Sequence, residues 1–150
     1  IIMQNFKLFV ELTRLNRPIG YMLLFWPCLW GLTIAYDFNY DLEKYYFYSF
    51  LFLMGSILMR SAGCIVNDIV DRNFDKKVER TKNRPIASGK VSVRLGIIYS
   101  IVLCGLAFLV LINFNIFTIS YGTFINAACI YLSFDEKVYL LAPIIFRYYI

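Results

Sequence analysis

Residues 95–134, LGIIYSIVLCGLAFLVLINFNIFTISYGTFINAACIYLSF, run for 40 positions without a charged side chain. A membrane helix needs about 20 predominantly apolar residues to cross a hydrocarbon core of about 30 Å, so this stretch holds two crossings rather than one. Asn113 and Asn115 flank Phe114 near its middle, where a tight interfacial turn is least costly. The expected spans are therefore 95–112 and 116–134. Working outward, residues 19–36 carry no charge, and residues 45–66 are interrupted only by Arg60, which adds two further spans. The tail 138–150 contains Pro143 and Arg147 and is too short to cross. With 60% hydrophobic and 17% charged residues in 150 positions, the fold class is all-α: a polytopic transmembrane helical bundle of about four spans.

Charges between the spans set the orientation. The N-terminal arm carries Lys7, Arg14 and Arg17 against Glu11, and residues 67–94 carry eight basic residues against four acidic ones. Both are expected on the cytoplasmic side. The loop from Asp37 to Lys44 has three acids and one base and is expected on the far side. No cleavage site for a signal peptide follows the first apolar run, where Asp37, Asp41 and Glu43 come next.

The composition also excludes chemistry. There is no histidine, which removes Ser-His-Asp and Cys-His nucleophile systems and His-based zinc sites. Cys28, Cys64, Cys104 and Cys129 lie singly in apolar runs with no CxxC pair, so neither a disulfide framework nor a metal knuckle is expected. They read as small apolar fillers.

Three of the ten acidic residues lie just after the second span, in Asn67-Asp68-Ile69-Val70-Asp71-Arg72-Asn73-Phe74-Asp75. At about 100° per helical residue, Asn67, Asp68, Asp71 and Asp75 fall within roughly 100° of arc. Like charges at that spacing repel each other, and a divalent cation reverses the sign. Oxygen donors without Cys or His favour Mg²⁺, which uses one or two carboxylates plus substrate phosphates. An EF-hand reading over Asp71, Asn73 and Asp75 fails because Lys76 and Lys82 stand where Gly and a bidentate Glu are needed. The plain alternative is a solvated acidic face paired with Arg72, Lys76 and Lys77.

Two features favour a site. Arg60 lies about two turns deeper on the same face, inside the span, and intramembrane ionisable residues are functional candidates. Its plain alternative is an interhelical ion pair or a snorkelling side chain. Ser61, Ala62, Gly63 and Cys64 leave room beside it for close helix contact or a ligand. The second feature is the cationic loop Arg80-Thr81-Lys82-Asn83-Arg84-Pro85. Cations beside a metal-binding acidic cluster are what a diphosphate needs, although any cytoplasmic loop tends to be basic.

With NDxxDxxxD, then RTKNRPIASG, preceded by RLNRPIGYMLLFWPCLWG, the chain resembles the UbiA family of membrane prenyltransferases, most closely its 4-hydroxybenzoate polyprenyltransferases of ubiquinone biosynthesis. The resemblance covers Arg14 to Gly96 and is not evident after about Phe117. It implies a nine-helix membrane enzyme that uses Mg²⁺ to bind and ionise a polyprenyl diphosphate, whose prenyl cation then alkylates the aromatic ring. It implies Asn67, Asp68, Asp71 and Asp75 as the metal-binding motif, with Asp68, Asp71 and Asp75 as its catalytic carboxylates. It further implies that Arg60 faces the carboxylate of 4-hydroxybenzoate and that Arg17, Arg80, Lys82 and Arg84 hold or cover the diphosphate. The implied location is the bacterial inner (cytoplasmic) membrane or the mitochondrial inner membrane, with the lipid bilayer and no nucleic acid as partner.

The family's second aspartate-rich motif has no counterpart, since the only later acids are Asp135 and Glu136. The chain is therefore expected to be the N-terminal half of the enzyme, a fragment or one product of a split gene whose C-terminal half is separately encoded. Within the family, a naphthoate, a haem or a chlorophyllide are alternative acceptors, and Arg60 favours a small carboxylated aromatic. Outside it, the alternatives are a non-catalytic four-span remnant and a small ion or lipid transporter. A transporter needs polar residues through several spans, and the first and third are almost wholly apolar.

Overall fold

The computed structural model describes residues 2–36, 42–116, 118–120 and 122–124, all helical or in turns and loops. Five helices follow in order: α1 (Ile2–Thr13), α2 (Ile19–Ala35), α3 (Leu42–Val70), α4 (Arg72–Asp75) and α5 (Val93–Leu111). The described residues up to Val110 form one compact unit, and those from Leu111 belong to a second.

The N-terminal arm is itself a helix. α1 ends where Arg14 takes a left-handed backbone with φ 55°, the conformation that terminates helices and usually selects glycine. The Thr13 hydroxyl donates back to the Phe9 carbonyl at 2.8 Å, and the Arg17 amide donates to the Arg14 carbonyl at 2.9 Å. Pro18 then opens α2 with φ −62°, a dihedral its ring fixes in the helical range.

α3 and α5 are long and apolar enough to cross a membrane, whereas α2 has 17 residues. At 1.5 Å per residue α3 is about 44 Å long, so it exceeds a hydrocarbon core of about 30 Å. Hydrophobicity marks only the lipid-depth part of this helix. Glu43 and Lys44 at one end and Asn67 and Asp68 at the other continue it beyond the apolar run of residues 45–66. The buried face of α3 carries Ser56, Ser61, Ala62 and Cys64 among larger Leu51 and Ile65, small side chains of the kind that let membrane helices approach closely. Gly63 instead faces out, with nothing within 4 Å of an added Cβ.

The core lies at one end of this unit. Leu12 from α1, Ala62 and Ile65 from α3, Ile86 and Val91 from the connecting loop, and Leu103 from α5 form one buried cluster. Phe9 and Tyr99 meet beside it edge to face at 5.4 Å. Gly96 lets α5 approach: an added Cβ there would lie 3.1 Å from Ile86 and 3.3 Å from Ile69. The loop is pinned by Ile86 and Ala87 in the core, by the Val91 amide donating to the Pro85 carbonyl at 2.9 Å, and by Gly89 turning with φ 79°. This apolar anchor holds the charged segment 67–85 in place.

In the second unit, a turn at residues 112–114 is followed by Asn115, whose side-chain oxygen accepts from the Thr118 amide at 2.9 Å and its hydroxyl at 2.8 Å. Asn115 thus caps a new helical segment. Most of the expected span 116–134, the tail from residue 138, Asp135, Glu136 and Cys129 lie outside the described residues.

Candidate functional site

The acidic face survives the end of α3. Asp71 breaks the helix assignment with φ −84° and ψ 0°, yet the Asp71 amide donates to the Asn67 carbonyl at 2.8 Å and the Asp75 amide donates to the Asp71 carbonyl at 2.8 Å. The i→i−4 register therefore runs through the break and stacks Asn67, Asp71 and Asp75 along one line. Asn67 is exposed, Asp71 half-buried and Asp75 buried.

Asp68 is 2% exposed and meets two guanidinium groups. Arg14 Nη2 donates to Asp68 Oδ1 at 2.5 Å, and Arg84 Nη1 reaches the same oxygen at 3.3 Å. That Arg84 nitrogen also donates to Asp75 Oδ2 at 2.8 Å. A buried carboxylate without a countercharge is strongly unfavourable, and the two arginines supply one to each. Asp68 and Asp75 are thus buried and paired with Arg14 and Arg84. Among the described residues no three acidic side chains converge tightly enough to hold a metal by themselves.

The loop cations divide. Thr81 is buried and its hydroxyl donates to the Asp75 carbonyl at 3.2 Å, fastening the loop to the end of α4 and turning Arg84 inward. Lys82 points the other way and pairs with exposed Glu79 at 2.6 Å, an exposed contact of about 0–1 kcal/mol. Arg14, Arg17, Arg80, Arg84 and Asp68 line one cleft of about 940 Å³, with Lys7 and Glu11 of α1 on its far wall. Arg17, Arg80, Arg84 and Asp68 are thus brought together, and Asp75 joins them through Arg84. Lys82 and Arg60 are not on this cleft. Arg60 is exposed and lies against Gly20 of α2.

Arg14 and Lys7 are cleft cations that the sequence pattern does not assign to the site. Their signal is weak: Leu8 and Leu12 are spaced for one helical face, which makes the arm a helix, but only the left-handed turn at Arg14 aims its guanidinium at a carboxylate 54 positions away.

The apolar helices α3 and α5, each long enough to cross a membrane, end beside a cleft lined by Arg14, Arg17, Arg80, Arg84 and buried Asp68, an arrangement of the class of integral membrane proteins with a charged site at one end of their helices. The UbiA prenyltransferase family profile matches residues 24–141, well past the limit at which resemblance is evident by eye near Phe117. The chain belongs to this family. Over 142 residues it is 46% identical to the 4-hydroxybenzoate octaprenyltransferase of Pseudomonas aeruginosa (strain LESB58), covering 93% of this chain and 43% of the relative. The protein of that name from Polynucleobacter asymbioticus is 44% identical over 115 residues, covering 77% of this chain and 39% of the relative. That of Alkalilimnicola ehrlichii is 46% identical over 112 residues, with 75% and 37% covered. The chain spans roughly two fifths of the length of these curated relatives. No solved structure matches it.

Proposed function

We propose that this chain is the donor-binding and acceptor-holding part of an enzyme that transfers a polyprenyl group from polyprenyl diphosphate to 4-hydroxybenzoate in ubiquinone biosynthesis. It acts in the bacterial inner membrane or the mitochondrial inner membrane. The observation that carries this reading is the cleft in which Arg17, Arg80 and Arg84 surround the acidic end of α3. Guanidinium forks suit diphosphate oxygens, and the activity for which the relatives are named supports the donor and acceptor classes.

The residues present fit Mg²⁺. Their donors are hard oxygens, and a single cationic nitrogen of Arg84 already stands between Asp68 and Asp75. Asn67, Asp68, Asp71 and Asp75 would hold the ion, which when bound neutralises charge on the departing diphosphate. Arg17, Arg80 and Arg84 bind the diphosphate oxygens, and Arg60 holds the acceptor carboxylate. In the transfer the prenyl C–O bond breaks, a ring carbon forms the new C–C bond, and the ring proton and diphosphate leave.

The test is transfer of a labelled polyprenyl group to 4-hydroxybenzoate by membranes containing the protein together with the C-terminal part of a full-length relative, the chain by itself being expected inactive. Arg60→Ala is expected to raise KM for the acceptor by about tenfold or more, the scale of one charge-assisted contact, while the KM for diphosphate changes little. Equal losses for both substrates would make Arg60 a structural ion-pair partner, and no prenylated 4-hydroxybenzoate would refute the reading.

In this reading the N-terminus and residues 67–94 face the cytoplasm, as their excess of Lys and Arg directs. A single-cysteine variant bearing Asp41→Cys is expected to react with a membrane-impermeant thiol reagent added outside intact cells. Labelling only after lysis would reverse the orientation.

A further inference from the structure

We propose that Gly20 is a specificity-determining position of the acceptor site: its bare α-carbon on α2 forms the bay in which the Arg60 side chain lies, and so fixes where that guanidinium points. This rests on the reading of Arg60 as the acceptor-carboxylate contact. Gly20 stands in the first turn of α2, which packs beside α3. A Cβ added there would lie 2.8 Å from Arg60 Nε and 3.5 Å from both Cζ and Nη2. Carbon and nitrogen at the first of those distances overlap, since ordinary contacts begin at about 3.5 Å.

Backbone conformation does not require glycine here. Gly89 is the glycine with a positive φ among the described residues, and Gly within a helix costs about 1 kcal/mol relative to Ala. Gly31, on the same helix, meets nothing within 4 Å of an added Cβ. What distinguishes Gly20 is the guanidinium against it. Arg60 is exposed on a long flexible stem, so a methyl group at position 20 displaces the arginine and leaves the helices where they are. A displaced fork no longer presents two parallel donors to a carboxylate. The acidic end of α3 is about two turns further along that helix, and although the Gly20 amide donates to the Arg17 carbonyl at 3.3 Å, the three heavy atoms nearest an added Cβ all belong to Arg60.

The experiment compares Gly20→Ala, Gly31→Ala, Arg60→Ala and the Gly20→Ala/Arg60→Ala double variant in membranes, measuring KM for 4-hydroxybenzoate, KM for the prenyl diphosphate and protein amount. Gly20→Ala is expected to raise the acceptor KM about tenfold with little change for the diphosphate, Gly31→Ala to change neither, and the double variant to be no worse than Arg60→Ala alone. If Arg60→Ala impairs acceptor use and Gly20→Ala does not, the Gly20 proposal fails while the Arg60 reading stands. If Arg60→Ala impairs both substrates equally, that reading fails and takes the proposal with it. Should Gly20→Ala lower protein amount, adding Arg60→Ala is expected to restore it by removing the clash. Loss that persists in the double variant would make Gly20 a helix-packing residue and overturn the proposal.

Discussion

Replacing Asp75 with Asn is expected to lower prenyl transfer by about 10²-fold or more, the scale on which loss of one group that stabilises developing charge is felt. The substitution keeps the side chain's size and removes its charge. Asp75 is buried, its backbone accepts from the Thr81 hydroxyl, and its carboxylate holds Arg84 at 2.8 Å. Loss of that charge therefore acts twice: it weakens the oxygen set that would hold Mg²⁺, and it releases the cation that the loop turns toward the cleft. Asp71→Asn is expected to weaken that oxygen set while leaving the contact between Asp75 and Arg84 in place. Single-turnover transfer across a Mg²⁺ titration separates the two, because added metal should recover part of the Asp71→Asn loss and less of the other. Near-normal turnover of either variant at all Mg²⁺ concentrations would remove that residue from the site.

The difference between what was legible in the sequence and what was not follows the range of the interactions. The stacked face of Asn67, Asp71 and Asp75 is local, set by a helical period that the amide bonds carry through the break at Asp71. The turn between Leu111 and Asn115 is legible for the same reason, since a side chain that caps the next helix is written beside the residues it caps. Lys82 and Arg84 look equivalent in a loop without a period. Only the Thr81 anchor and the burial of Ile86 decide that Arg84 turns in and Lys82 turns out to Glu79. Arg14 depends on a left-handed residue and on a partner brought close by tertiary packing, and neither has a sequence pattern. α3 runs beyond the apolar stretch of residues 45–66 at both ends, because an apolar run reports where lipid is, whereas a helix continues for as long as its backbone bonds do.

Removing Arg84 is expected to have opposite effects on the two ligands of the cleft. Arg84 is a built-in cation, one nitrogen shared by Asp68 and Asp75. Arg84→Ala leaves two nearly buried carboxylates on one side with Arg14 bonded to Asp68 alone. Breaking such a pair by deleting one partner costs about 3–5 kcal/mol when fully buried. The Arg84 side chain is 28% exposed, which places the expected loss at or below the low end of that range. The same deletion makes the carboxylates available to a divalent cation, and a cation that binds only the folded state stabilises it by mass action. Thermal unfolding of the detergent-solubilised variant should therefore begin lower than wild type and recover with added Mg²⁺, while wild type, whose acids are already compensated, responds less. Added inorganic diphosphate should then stabilise wild type in the presence of Mg²⁺ and the variant much less, because the arginine that turns to the anion is gone. An Mg²⁺ response equal to that of wild type would mean that Asp68 and Asp75 serve only as ion-pair partners of the loop, and would place any metal elsewhere.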